Sequence, residues 1–394
     1  MKIAVLTSGI LPIPAFEGGA VENLIDSYLE FNEKEKLHEI TVFSVINKKI
    51  PERFFFKKYT CTHYHYVKTD NYWYRIKRKA FGFLHKKTFY YHFHIEYFLH
   101  KVLELIKKQE YDIIILENRP GYAEKVAKTS PKSRIVLHLH NDLLGPDTPN
   151  ASHIKSFISS TIAVSDYIKN RIDAVFPFKP SYTCHNGIDL EIFQSEISKI
   201  EIRRKLKLRM DDFVVVFSGR LIPEKGVKEL LKAMQFLKDS RIKLLIIGGN
   251  FFGNDTVQTD FIKELQDLAK VYIDRIIFTG YRPYNEIPDL LRCADVGIIP
   301  SLWEDPCPLS CIEALAAGLP LIVTRSGGIP ELINDECAIV LDKTSNLSQQ
   351  LAKAIDYLFH SVREREYMSL KSLERSKSYS KEIFASSFFK LLSI

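Results

Sequence analysis

Val214-Val215-Val216-Phe217-Ser218-Gly219-Arg220-Leu221-Ile222-Pro223-Glu224-Lys225-Gly226-Val227 opens on an apolar, β-branched run and ends in a glycine-punctuated turn. The run is apolar throughout rather than alternating, as in a strand buried on both faces of a parallel sheet. Beyond the turn, Val227, Leu230, Leu231, Met234 and Leu237 form one stripe at helical spacing, and residues 243–247 read as the next strand. This is a βαβ unit. Residues 276–279, 296–300, 321–324 and 338–341 continue the alternation toward the C terminus. Toward the N terminus, residues 3–7, 40–45, 112–116, 135–140 and 161–165 form a second series, with Val21, Leu24, Ile25, Tyr28 and Leu29 as its first helical stripe. Two such series predict two doubly wound, Rossmann-like α/β domains with parallel sheets. His185-Asn186-Gly187-Ile188-Asp189 contains a turn dipeptide where the first series ends. The predicted domains are therefore residues 1–187 and 188–375, with the amphipathic segment 376–394 crossing back to complete the first.

A length of 394 residues accommodates two domains, and 46% apolar with 26% charged residues excludes a disordered chain. No apolar run is long enough to span a bilayer. The opening run is too short for a secretory signal, since Pro12 and Pro14 follow it closely. Cys61, Cys184, Cys293, Cys307, Cys311 and Cys337 are scattered without a C-x-x-C pair. That pattern fits reduced thiols in a cytoplasmic protein, and Cys307 and Cys311 lack a neighbouring His or Cys to build a zinc site. The formal net charge of +7 lies wholly within residues 1–190. Within them, residues 48–94 interleave Lys and Arg with Phe, Tyr and Trp. The segment reads as a helical excursion with a solvated basic face, or as a surface for an anionic membrane or a pyrophosphate-linked acceptor. No motif that reads nucleic acid accompanies it.

Chemistry concentrates where strands end. Gly18-Gly19 precedes a helix, where backbone N–H groups and the helix dipole favour an anion, although G-x-G-x-x-G is absent. The strand of residues 135–140 ends in His140-Asn141-Asp142. Polar groups at that end of a parallel strand face the ligand crevice. His138 shares the facing of His140, which lies nearer the strand end and is the one assigned function. Arg220 and Lys225 place two cations at a sheet edge, suited to a diphosphate. In Pro300-Ser301-Leu302-Trp303-Glu304-Asp305-Pro306-Cys307-Pro308-Leu309-Ser310-Cys311-Ile312-Glu313, Asp305 falls in a loop and Glu313 in the following helix. Asp305 suits sugar hydroxyls and Glu313 a ribose diol. Ser326-Gly327-Gly328 adds another glycine turn after a strand.

These residues resemble the GT-B glycosyltransferases of family 4, which carry a Glu–seven residues–Glu motif. The resemblance covers almost the whole chain and is sharpest over residues 218–331. Gly19 matches the N-terminal glycine loop, His140 the active-site histidine, and Arg220 with Lys225 the diphosphate-binding pair. Asn186-Gly187-Ile188-Asp189 with Phe193 matches the interdomain segment, and residues 379–384 the closing helix. One position departs: Asp305 stands where the family has its first Glu, and Glu304 is one residue out of register. The resemblance implies two domains facing a central cleft, acceptor on the first and nucleotide sugar on the second.

The expected activity is transfer of a hexosyl group from a nucleotide diphosphate sugar to a glycan or lipid-linked acceptor, with retention and without an obligatory metal. His140 and Asp305 are the expected catalytic residues. The expected donor-binding residues are Gly18, Gly19, Arg220, Lys225, Arg282, Cys307, Leu309 and Glu313. A cytoplasmic enzyme of cell-surface polysaccharide biosynthesis, peripheral on the inner membrane face, fits this reading. A nucleotide-sugar epimerase of the same architecture and a non-catalytic partner subunit are the alternatives.

Overall fold

Residues 1–46, 59–69, 74, 92–193, 198–249 and 259–394 are described by the computed structural model. They form two units, Met1–His185 with Phe384–Ile394, and Asn186–Ile383. The first holds β1 (Lys2–Leu6), β2 (Glu39–Ile46), β3 (Thr62–Lys68), β4 (Ile113–Glu117), β5 (Arg134–Leu139), β6 (Ser160–Ala163) and β7 (Ser181–Thr183). The second holds β8 (Phe213–Ser218), β9 (Ile242–Ile247), β10 (Ile276–Gly280), β11 (Val296–Ile299), β12 (Leu321–Thr324) and β13 (Ala338–Leu341).

Every strand pairing among the described residues is parallel. The strand orders are 3-2-1-4-5-6-7 and 10-9-8-11-12-13. The two Rossmann-like sheets read from the sequence are both present. In each, order reverses beside the first strand, between β1 and β4 and between β8 and β11. In open α/β sheets ligands bind outside the carboxyl ends of strands at such a reversal.

The central strands were legible because both their faces are buried; all five residues of β4 are buried, for example. Two strands escaped the sequence reading. β3 reads Thr-His-Tyr-His-Tyr-Val-Lys and is buried at only two positions, as suits an edge strand. β7 is a three-residue edge strand with no buried position. β3 also corrects the helical reading of residues 48–94, since residues 62–68 pair with β2 over their whole length. Residues 47–58, 70–73 and 75–91, which carry most of that basic and aromatic segment, lie outside the described residues.

Helix Ala20–Glu35 covers the first sheet with Leu24, Ile25, Tyr28 and Leu29. The C-terminal helix, Lys381–Leu392, supplies Phe384, Phe388, Phe389 and Leu392 to the same core. Phe388 stacks on Tyr28 with ring centroids 4.6 Å apart. In the second unit, Ile188 donates to Tyr379 O at 2.9 Å and accepts from Lys381 N at 2.8 Å. Lys381 also pairs with Asp189 at 2.5 Å. Among the described residues no helix is long and apolar enough to cross a membrane.

Candidate functional site

In the second unit, the loops leaving β8 and β11 meet backbone to backbone. Gly226 sits at φ 70°, and a Cβ there falls 1.9 Å from Pro300 O, so only glycine fits. The N–H groups of Leu302 and Trp303 both point to Glu224 O, at 2.8 and 3.4 Å. This packing brings Lys225 to Asp305: Nζ lies 2.5 Å from Oδ2. Ser301 donates to the same oxygen at 3.3 Å, and the Trp303 ring lies 5.8 Å from the ammonium. Asp305 is buried. Neighbouring Glu304 turns elsewhere, accepting from Gly327 N at 2.5 Å and pairing with Lys343. Asp305, not Glu304, therefore faces the Lys225 cation.

Arg220 is exposed at the same strand end. Its guanidinium has no partner among the described residues, whereas Lys225 is held. Helix Leu309–Ala316 starts after Pro308, which supplies no side-chain cap; Cys311 N–H turns back to Pro308 O at 3.0 Å, and the N–H groups of Leu309 and Ser310 have no acceptor among the described residues. Cys307 is buried just before it, its carbonyl accepting from Asn186 Nδ2 at 3.0 Å. Glu313 lies within the helix, is 7% exposed, and accepts a hydrogen bond from the Tyr284 hydroxyl. Burial pushes its carboxyl up to about 7, against the lowering effect of that hydroxyl. Arg282 is exposed and pairs with Glu286 at 3.6 Å.

In the first unit, Gly18 and Gly19 lead into helix Ala20–Glu35. Gly19 has φ 110°, and a Cβ there falls 2.1 Å from Glu22 Oε2. Burial raises the Glu22 carboxyl to about 7, with a smaller upward push from the charge of Glu117. Glu117, the last residue of β4, is fully buried. It accepts from Tyr28 OH at 2.9 Å, and its Oε2 lies 3.1 Å from His138 Nδ1 and 3.0 Å from His140 Nε2. Burial pushes the Glu117 carboxyl up, but the two imidazoles overcome this and hold it below the ordinary carboxylate range. Burial, reinforced by His138, pushes His140 down and keeps its ring neutral near pH 7. His140 follows β5 directly, and its N–H donates to Asn118 Oδ1 at 3.2 Å.

The fold thus joins Lys225 to Asp305, sets Cys307 and Leu309 at the start of the helix that carries Glu313, and places Gly19 beside Glu22. Among the described residues nothing ties Arg282 to that group. Sequence reasoning missed Glu22, Glu117 and Tyr284. The run of residues 112–116 stops one residue short of Glu117, although the strand-end rule that singled out His140 applies to it equally. Glu22 and Tyr284 left no comparable signal.

A family model described as Glycosyl transferases group 1 matches residues 198–375. A chain of Bacillus subtilis (strain 168), putative glycosyltransferase YtcC, is 29% identical over 371 residues, which cover 91% of this chain and 83% of that one. UDP-Gal:alpha-D-GlcNAc-diphosphoundecaprenol alpha-1,3-galactosyltransferase of Escherichia coli is 34% identical over 159 residues, 38% of each chain. Among solved structures, Anabaena Alr3699/HepE in complex with UDP superposes with a TM-score of 0.76 over 100% of both chains, at 20% identity. The chain is a glycosyltransferase built from two Rossmann-like domains of the GT-B fold type, and residues 198–375 of its second unit match the group 1 glycosyl transferases.

Proposed function

We propose that the chain transfers a hexosyl group from a UDP-sugar to a glycan or lipid-linked acceptor, with retention, during synthesis of a cell-surface polysaccharide. The observation that carries this reading is the cluster at the strand-order reversal of the second sheet. There the Arg220 guanidinium, without a partner among the described residues, stands with the Lys225–Asp305 pair and the start of helix Leu309–Ala316, which has no side-chain cap among them. Arg220 and Lys225 suit the two phosphates. Charge fixed in advance where the leaving diphosphate develops its own is the expected main catalytic contribution, and it requires no obligatory metal. Glu313 suits the ribose diol. Asp305 holds Lys225 until a diphosphate offers a second anionic partner, and then accepts from a donor-sugar hydroxyl. On this reading Asp305 and Glu313 fill the two carboxylate positions of the family 4 motif.

The first unit takes the acceptor, with His140 at the carboxyl end of its sheet. The activity for which the Escherichia coli relative is named, on a diphosphoundecaprenol-linked sugar, supports a UDP donor and a lipid-linked acceptor. Work at the inner membrane face, through the basic segment 48–94, belongs to the same reading.

The test is a thermal-shift screen against UDP-, GDP- and dTDP-sugars, followed by release of UDP with and without acceptor. A specific donor stabilises the protein by mass action. Acceptor-dependent UDP release and a product with the donor's anomeric configuration are expected. Sugar interconversion without acceptor marks an epimerase, and binding without turnover across many acceptors marks a partner subunit; either result overturns the proposal.

A further inference from the structure

We propose that Glu117 is a positioning residue that fixes His138 and His140 in opposite imidazole tautomers, so that His140 presents a bare Nδ1 acceptor at the carboxyl edge of the first sheet. The functional consequence rests on the reading of His140 as a substrate-facing group. The tautomers themselves follow from geometry alone.

Three groups converge on one buried carboxylate. Tyr28 donates to Oε1, while His138 Nδ1 and His140 Nε2 both lie within hydrogen-bond distance of Oε2. An ionised carboxylate only accepts, so each nitrogen that faces it carries a proton. The imidazole centroids are 4.1 Å apart, too close for both rings to carry charge in a buried site. A second N–H on either ring, at His138 Nε2 or His140 Nδ1, would be buried with no acceptor among the described residues, so both rings are neutral and carry one N–H each. His138 is therefore the Nδ1–H form, and His140 the Nε2–H form. The two nitrogens this leaves bare, His138 Nε2 and His140 Nδ1, are the same two that have no hydrogen-bond partner among the described residues.

The two bare nitrogens differ in surroundings. His138 is fully buried, with Phe388 4.8 Å and Phe384 6.3 Å from it, centroid to centroid. His140 is 7% exposed and lies beyond the end of β5. Its backbone is pinned by Asn118, whose own N–H donates to His138 O at 2.8 Å. Both bare nitrogens are buried, but only that of His140 lies past the end of β5, at the carboxyl edge where the proposed function places substrate.

The same three residues place one ligand atom each within 4.8 Å of one another, the spacing of a metal site. A metal on His138 Nδ1 would move its proton to Nε2 and bury an N–H against two phenylalanine rings with no acceptor. Ligating histidines normally donate that second N–H to a partner. The tautomer assignment leaves no donor unpaired.

The test uses the full chain labelled with 15N-histidine. Two-bond 1H–15N correlation spectra distinguish the tautomers, and His138→Phe and His140→Ala assign the signals. The expected wild-type spectrum near neutral pH shows His138 as Nδ1–H and His140 as Nε2–H. An Nδ1–H or doubly protonated His140, or stoichiometric movement of both signals by added Zn2+, overturns the proposal. Glu117→Ala is expected to release His138 toward the Nε2–H form. It should lower kcat by about 10- to 100-fold with donor KM within about threefold, the cost of a misplaced reacting group. Unchanged tautomers in a folded Glu117→Ala, or a loss confined to KM, count against it. The wild-type spectrum is decisive even if that variant does not fold. An active enzyme with the reverse tautomers refutes the positioning alone, whereas the expected tautomers in a protein without transferase turnover refute the functional reading alone.

Discussion

Glu313→Gln should trade function for stability in a pH-dependent way. Burial holds the Glu313 carboxyl at about 7 in the folded chain, against 4.5 for a free one. Each factor of ten in proton affinity is about 1.4 kcal/mol, so the ionised form costs roughly 3 kcal/mol on folding. The sign follows from the raised value. Below about pH 4.5 the carboxyl is protonated in both states and the wild type bears no penalty. As pH rises from there to about 7, the unfolded chain ionises first and wild-type stability falls. Above about pH 7 the whole penalty is in place. Glutamine mimics the protonated group and can still accept from Tyr284. The stability gained by the variant should therefore grow from near zero at about pH 4.5 to roughly 3 kcal/mol at about pH 8.5. Glu22 has a similarly raised carboxyl but is common to both proteins, so it cancels in the difference. Denaturant unfolding of both proteins at the two pH values measures this. UDP affinity at about pH 8.5 should fall about tenfold, because a neutral amide accepts from a ribose diol more weakly than a carboxylate. A stability difference that does not change with pH, or a variant less stable at the higher pH, refutes the reasoning.

Arg220→Ala should cut turnover about a hundredfold, by about 2–4 kcal/mol of leaving-group stabilisation. Its melting temperature should hardly change, because Arg220 is exposed and partnerless among the described residues; near wild-type turnover would remove it from the donor site. Lys225→Ala should lose as much activity and also about 3 kcal/mol of stability, since it leaves buried Asp305 with Ser301 as its side-chain partner among the described residues. Asp305→Asn should raise donor KM or lower kcat, while Glu304→Gln, whose partners are Gly327 and Lys343, should do little; the opposite pattern would mean the motif register is wrong. The chain should sediment with anionic but not neutral vesicles, less so at high salt and less so when Arg75, Lys77, Arg78 and Lys79 are neutralised together. Equal partitioning onto neutral vesicles would leave residues 48–94 as a solvated face.

Fold and site were legible to different depths. β4 and β8 announce themselves as unbroken apolar runs because both sheet faces are covered. β3 does not, because this edge strand exposes His63, His65 and Lys68, half-buries Tyr64 and Tyr66, and so loses the unbroken apolar pattern. Lys225 and Asp305 were each visible, one by its strand-loop-helix setting and the other by its spacing from Glu313. Their pairing was not, because it depends on Gly226 letting one loop lie against Pro300 of another. His140 was readable at a strand end. The cluster behind it was not, since Glu117, His138 and Tyr28 come from three separate elements. A buried hydrogen-bond cluster assembled across a sheet leaves no periodic trace in the chain.

The central claim is that the second unit takes a nucleoside diphosphate on cationic side chains. Calorimetric titration of UDP into the full chain in excess EDTA tests it most directly. The account predicts saturable binding of one UDP per chain without divalent metal, weakened about a hundredfold in Arg220→Ala and in Lys225→Ala. Absence of binding, binding that appears only with a divalent ion, or equal affinity in both variants and the wild type would contradict it.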